Sequence, residues 1–64
     1  TAILNDSERI ECNNIEFRSG DVVQVLIGSI WYKTRIEHNG ISYYSVDDYP
    51  LLGNEIKPFN THNL

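Results

Sequence analysis

Stretches in which apolar and polar residues alternate with period two recur from end to end of the chain. Apolar side chains coincide at i, i+3, i+4 and i+7 only at Val23, Leu26, Ile27 and Ile30, across the break at Gly28-Ser29. The pattern therefore predicts strands and no helix. Ile3-Leu4 runs into the turn-prone Asn5-Asp6-Ser7, and Arg9 to Cys12 alternates as a short strand. Asn13-Asn14 tolerates left-handed backbone angles and predicts a tight turn into a strand from Ile15 to Arg18, which Ser19-Gly20-Asp21 ends. Val22 to Ile27 is the strongest strand, with Val23, Val25 and Ile27 on one face and Val22, Gln24 and Leu26 on the other.

Gly28-Ser29 turns the chain into a strand from Trp31 to His38. Its alternation sets Trp31, Lys33, Arg35 and Glu37 against Tyr32, Thr34 and Ile36, with Tyr32 and Ile36 expected in the core. Asn39-Gly40 predicts a two-residue type I′ hairpin, because both central residues need positive φ. The returning strand is Ile41 to Val46, and Tyr43 is expected to lie across the hairpin from Tyr32. Pro50 lacks a ladder donor, so Asp47 to Gly53 reads as a turn, before a last strand at Glu55 to Lys57. These elements imply an all-β fold: a small single-domain antiparallel barrel of five to six short strands over residues 1–59, with 60–64 as a frayed tail. Barrel closure would also remove exposed sheet edges.

Part of this pattern resembles the opening of SH3-like barrels such as Tudor and KOW domains, in Gly20-Asp21-x-Val23-x-Val25-x-Ile27 followed by Trp31-Tyr32-x-x-x-Ile36. A wider set is similar to a family of small bacterial and phage proteins known as a domain of unknown function. It comprises Val25-Leu26-Ile27, Trp31, Thr34-Arg35-Ile36-Glu37, Tyr43-Tyr44-x-Val46 and Leu51-Leu52-Gly53-Asn54-Glu55-Ile56, within about residues 13–59. That resemblance implies an SH3-like barrel and carries no catalytic residues across. Ile30, where a small or acidic residue is expected, makes the loop at Gly28-Ser29 more apolar here.

Composition narrows the function classes. The chain has 64 residues, 17 of them Ile, Leu or Val and 7 aromatic, which supplies one small core and no second domain. No run reaches the roughly 18 apolar residues of a membrane span, and no signal-peptide series is expected. A single cysteine, Cys12, leaves the fold without an internal disulfide. Seven Asn and eight Ile against one Ala match AT-rich coding DNA, so a low-GC bacterium or its phage is the expected source and the cytoplasm the expected location.

Candidate chemistry is sparse, and the expectation is a protein that is no enzyme and holds no cofactor or metal. Cys12 reads as a small packed residue, and His38 and His62 lack the partners of a zinc site. Asp47-Asp48 is a carboxylate pair, but adjacent turn residues point apart into water, unlike a general acid in a protected pocket. Nucleic acid is the alternative partner, since small barrels offer aromatics for stacking. Against it stands the charge: nine acidic and five basic residues give −4, and only Lys33 and Arg35 fall together.

The aromatics exceed what so small a core holds. Two or three of them, foremost Trp31, Tyr44 and Tyr49, are expected to be partly exposed on one side, and with Asp47 and Asp48 they form the candidate partner-binding set. Trp31 itself has two readings: a recognition anchor, or a cap on the open end of the barrel. The leading expectation is a non-enzymatic protein-binding module that acts on a host protein. One example is an inhibitor of a defence nuclease, such as an anti-CRISPR protein, covering a positively charged groove. The apolar Thr1 to Leu4 is expected to close the barrel of a monomer, against the rival of a strand-exchanged dimer.

Overall fold

The computed structural model describes residues 1–59 and contains seven strands. They are β1 (Ile3–Leu4), β2 (Ile10–Cys12), β3 (Ile15–Phe17), β4 (Val22–Ile27), β5 (Ile30–His38), β6 (Tyr43–Ser45) and β7 (Ile56–Pro58). All pairings are antiparallel, in one sheet of order β1-β2-β3 and another of order β6-β5-β4-β7. The expected tail lies outside the described residues. No helix among the described residues is long and apolar enough to cross a membrane.

The all-β, antiparallel reading holds, but the strands number seven and form two sheets in place of one closed barrel. The backbone explains why. Eight of the described residues have positive φ, including all four glycines, Glu8, Asn13, Asn14 and Asp48. Each breaks the extended path, so five of the strands stop at two or three residues. The pairing of these short strands ends within each sheet and does not join the three-stranded sheet to the four-stranded one.

The hairpin β4–β5 is the spine. Its register runs from Val22↔Arg35 to Ile27↔Ile30, and Gly28 at φ 65 with Ser29 fits the type II′ pattern. Val23 and Val25 are fully buried on the inner face with Ile36, Ile56 and the buried Thr34. Ile10, Cys12 and Phe17 of the three-stranded sheet, with Ala2 and Leu51, complete that core. Ile27, Tyr43 and Tyr49 pack against it half-buried. Tyr32, expected in the core, is also half-buried and lies against Tyr49.

The turn after β5 departs from expectation. His38 pairs with Tyr43, so four residues connect the strands and β6 begins at Tyr43. The cause is the Asn39 side chain, whose Oδ1 accepts the N–H groups of Ile41 and Ser42 at 2.8 and 2.9 Å. Only Gly40 takes a positive φ there. This local bonding outcompetes the two-residue hairpin. It also sets Tyr43 against His38, edge-on at 4.6 Å, and leaves Tyr32 paired with Val25. Asn13 and Asn14 do adopt the double positive φ, at 52° and 69°, between the paired Cys12 and Ile15.

The N-terminal segment ties the two sheets together. Ile3 and Leu4 pair with Glu11 and Ile10, while Ala2 donates to the Asn54 carbonyl and accepts from Gly53. Glu55 anchors the same corner. Its carboxylate takes the Thr1 amino group at 2.7 Å and the Thr1 hydroxyl at 2.8 Å. The bond from that ammonium, with help from the hydroxyl, lowers the Glu55 carboxyl to about 2.

Candidate functional site

Build-up of the site starts at Ser45, the last residue of β6. Ser45 is buried, its hydroxyl accepts the Tyr49 N–H, and its carbonyl accepts from Asp48 at 3.0 Å. Asp48 at φ 63 closes the bend. Thr34, buried on β5, donates to Asp47 Oδ2 at 2.8 Å and fastens the turn to the sheet. The chain then doubles back, and the Tyr49 ring comes to 5.1 Å from Tyr32, inclined at 43°. Leu51 enters the core while its neighbour Leu52 stays outside, more than half exposed. Asn54 locks this arrangement by donating to the Pro50 carbonyl at 2.8 Å.

Two depressions result. One lies between β6 and the turn and is lined by Tyr43, Tyr44, Asp48, Tyr49 and Leu52. The other, a pocket of about 110 Å³, is lined by Leu4, Glu8, Ile10, His38, Ile41 and Leu52, with Tyr43 between. Because they share Tyr43 and Leu52, they form one strip along the seam of the two sheets, its apolar side chains set among polar ones. Glu8 and Asp48 stand on its lining, and no Lys or Arg does. Ile41 is 88% exposed, the most open of the large apolar side chains.

The expected binding set is divided by this geometry. Tyr44, Asp48 and Tyr49 share the strip. Asp47 sits in a neighbouring hollow with Val22, Lys33, Thr34, Arg35 and Val46. Trp31 lies on the other side of the four-stranded sheet, half-buried beneath the Lys57 ammonium at 4.1 Å from its ring centre. Leu4, Ile41, Tyr43 and Leu52 were not expected here. Their signal was local: an isoleucine inside the polar loop Asn39 to Ser42, and a Leu-Leu pair in a turn that cannot bury both side chains.

The family model described as Domain of unknown function (DUF5348) matches residues 3–58, nearly the whole of the described fold. The chain belongs to the DUF5348 family. No curated protein and no solved structure matches it significantly. The match spans every strand, from β1 to the end of β7, so the DUF5348 unit is the complete two-sheet fold, strip included. Within it, no three His, Cys, Asp or Glu side chains of the described residues converge on a point. Cys12 is buried, its thiol 3.8 Å from Glu55 Oε1, and it accepts the Ile56 N–H at 3.5 Å. A cysteine so enclosed is a packing residue.

Proposed function

We propose that the chain is a non-enzymatic binding module that holds a protein partner in the strip between β6, the Asp47–Gly53 turn and Leu4. The observation carrying this reading is one continuous depression that exposes Leu4, Ile41, Tyr44 and Leu52 beside the half-buried Tyr49, among polar groups whose only fixed charges are carboxylates. Exposed aromatic and aliphatic side chains in a concave, hydrogen-bonded frame are the common make-up of a protein-binding hot spot. The partner that fits presents an apolar anchor flanked by Lys or Arg.

The reading extends to a bacterial or phage source, supported by the Asn- and Ile-rich composition, and to a cytoplasmic site, supported by the unpaired Cys12. A kinship with SH3-like barrels rests on Gly20-Asp21 opening β4 and the aromatic pair in β5. One form of the function is inhibition of a host defence nuclease, whose basic groove suits an acidic cover. The expected unit is a monomer.

The test is an affinity capture from nuclease-treated host lysate, followed by titration of the identified protein, purified, against variants. Ile41 is open to solvent, so Ile41→Asp leaves the melting temperature near that of the parent chain. It is expected to weaken binding by roughly 2 kcal/mol or more, the scale of a hot-spot loss. A partner recovered only while nucleic acid is intact would overturn the reading. So would undiminished binding by both Ile41→Asp and Leu52→Asp.

A further inference from the structure

We infer that the outer face of the four-stranded sheet is a second binding surface, for single-stranded nucleic acid. The register of the sheet assembles it. Val22, Gln24 and Leu26 of β4 point outward beside Arg35, Lys33 and Trp31 of β5, and Lys57 of β7 joins the row of Gln24. Phe59 follows, its N–H bonded to the Val22 carbonyl at 3.0 Å. Both edges of β4 thus carry long side chains while β4 carries shorter ones between them.

Across that low centre, two cation–aromatic pairs are laid about Gln24. Lys57 Nζ reaches from β7 to the Trp31 ring on β5, at 4.1 Å from its centre. Lys33 Nζ reaches the opposite way, from β5 to the Phe59 ring, at 4.5 Å. Arg35 is exposed beside Lys33, with its Nε 2.7 Å from Glu37 Oε2.

The charge of this face is opposite to that of the molecule. Lys33, Arg35 and Lys57 are three of the chain's five basic residues, and Glu37 is the face's one acid of nine; Asp47 stands at its rim, bonded to Thr34. Glu55, the residue before β7, is turned away to Thr1 and Asn13. A net −4 therefore conceals a positive face, and the charge objection to nucleic acid does not apply to it.

Unpaired bases require cations interleaved with flat rings: as Lys57 and Lys33 swing from the Trp31 and Phe59 rings onto phosphates, they leave those ring faces for bases to stack on. Three cations are too few to hold a duplex, whose bases are in any case not available to stack. The face is separate from the strip, so the two readings can fail independently.

The experiment is fluorescence anisotropy of labelled dT₁₂ and U₁₂ titrated with the full chain, repeated from 50 to 200 mM salt. Release of counterions from two phosphates at the lysines, and a third where Arg35 leaves Glu37, predicts a log–log slope of about −1.4 to −2.1, a roughly 7- to 20-fold weakening over that range. Lys33→Gln and Lys57→Gln each weaken binding and make the slope shallower by about 0.7. Trp31→Leu, confirmed folded by its melting curve, loses roughly 5- to 150-fold through lost stacking. Glu37→Gln frees Arg35 and tightens binding. Ile41→Asp, on the strip, leaves it unchanged. No binding at 50 mM salt would overturn the proposal, as would equal binding by duplex, by anionic vesicles or by a polyglutamate peptide. Indifference to both lysine substitutions would do the same.

Discussion

Asparagine does two different jobs in the turns of this chain, and the difference is measurable. Asn13 and Asn14 supply positive φ themselves, in a two-residue connection. Asn39 keeps a negative φ and works through its side chain, which binds two backbone N–H groups. The substitutions that each site tolerates should therefore differ. Asn14→Gly is expected to be neutral or stabilising, whereas Asn14→Ala costs roughly 1–2 kcal/mol by forcing Cβ into a left-handed conformation. At Asn39 glycine gives no relief, and Asn39→Asp, which keeps the acceptor, is the mild change. Thermal melting checks both, since 1 kcal/mol shifts a domain of this size by roughly 4–8 °C. Equal penalties for Gly and Ala at position 14 would contradict the account. The same contrast marks where the sequence was legible. Asn13-Asn14 read correctly because its positive backbone angles make the turn, the Asn13 side chain bonding away from it to Glu55, while at Asn39 a side-chain bond that competes with the hairpin decided the loop and displaced β6.

Strands read from local alternation survive best where the pairing is local. The β4–β5 hairpin was legible because its β-branched run and the Gly28 turn lie side by side in sequence. Closure was not, since it depends on strands of two or three residues meeting across long separations, and alternation contains nothing on which of them meet. The joining of β7 to β4 is of that kind, and so is the N-terminal clasp. Ala2 is buried and bonds to Gly53 and Asn54 on both sides of its peptide unit. Deleting residues 1–4 should expose Ile10 and leave those carbonyl and N–H groups without partners, so stability falls at every protein concentration. Melting at several concentrations tests this. A melting temperature that depends on concentration in the intact chain, and ceases to after deletion, would mean strand exchange between two copies.

At the scale of the whole molecule, the main result is a sorting of charge and apolar surface that linear composition hides. Sums along the sequence make the central hairpin merely neutral, because they include Asp21 and leave out Lys57. Alternation does place Trp31, Lys33 and Arg35 on one face, but Lys57 and Phe59 reach it only through the β4–β7 ladder. In the same way Tyr44, Asp48 and Tyr49 fall together with Leu4, forty residues earlier in sequence, only once the two sheets meet. Trp31 was grouped with them by chemistry and is separated from them by geometry. The central claim is that a protein partner occupies the strip. Its most direct test is a ¹H–¹⁵N chemical-shift titration of the full chain with the captured, nuclease-treated partner. The account predicts that the amides of Ile41, Tyr43, Tyr44, Asp48 and Leu52 shift or broaden while those of Lys33 and Lys57 stay in place. Perturbation confined to the Lys33 and Lys57 face, with the strip unmoved, would contradict it.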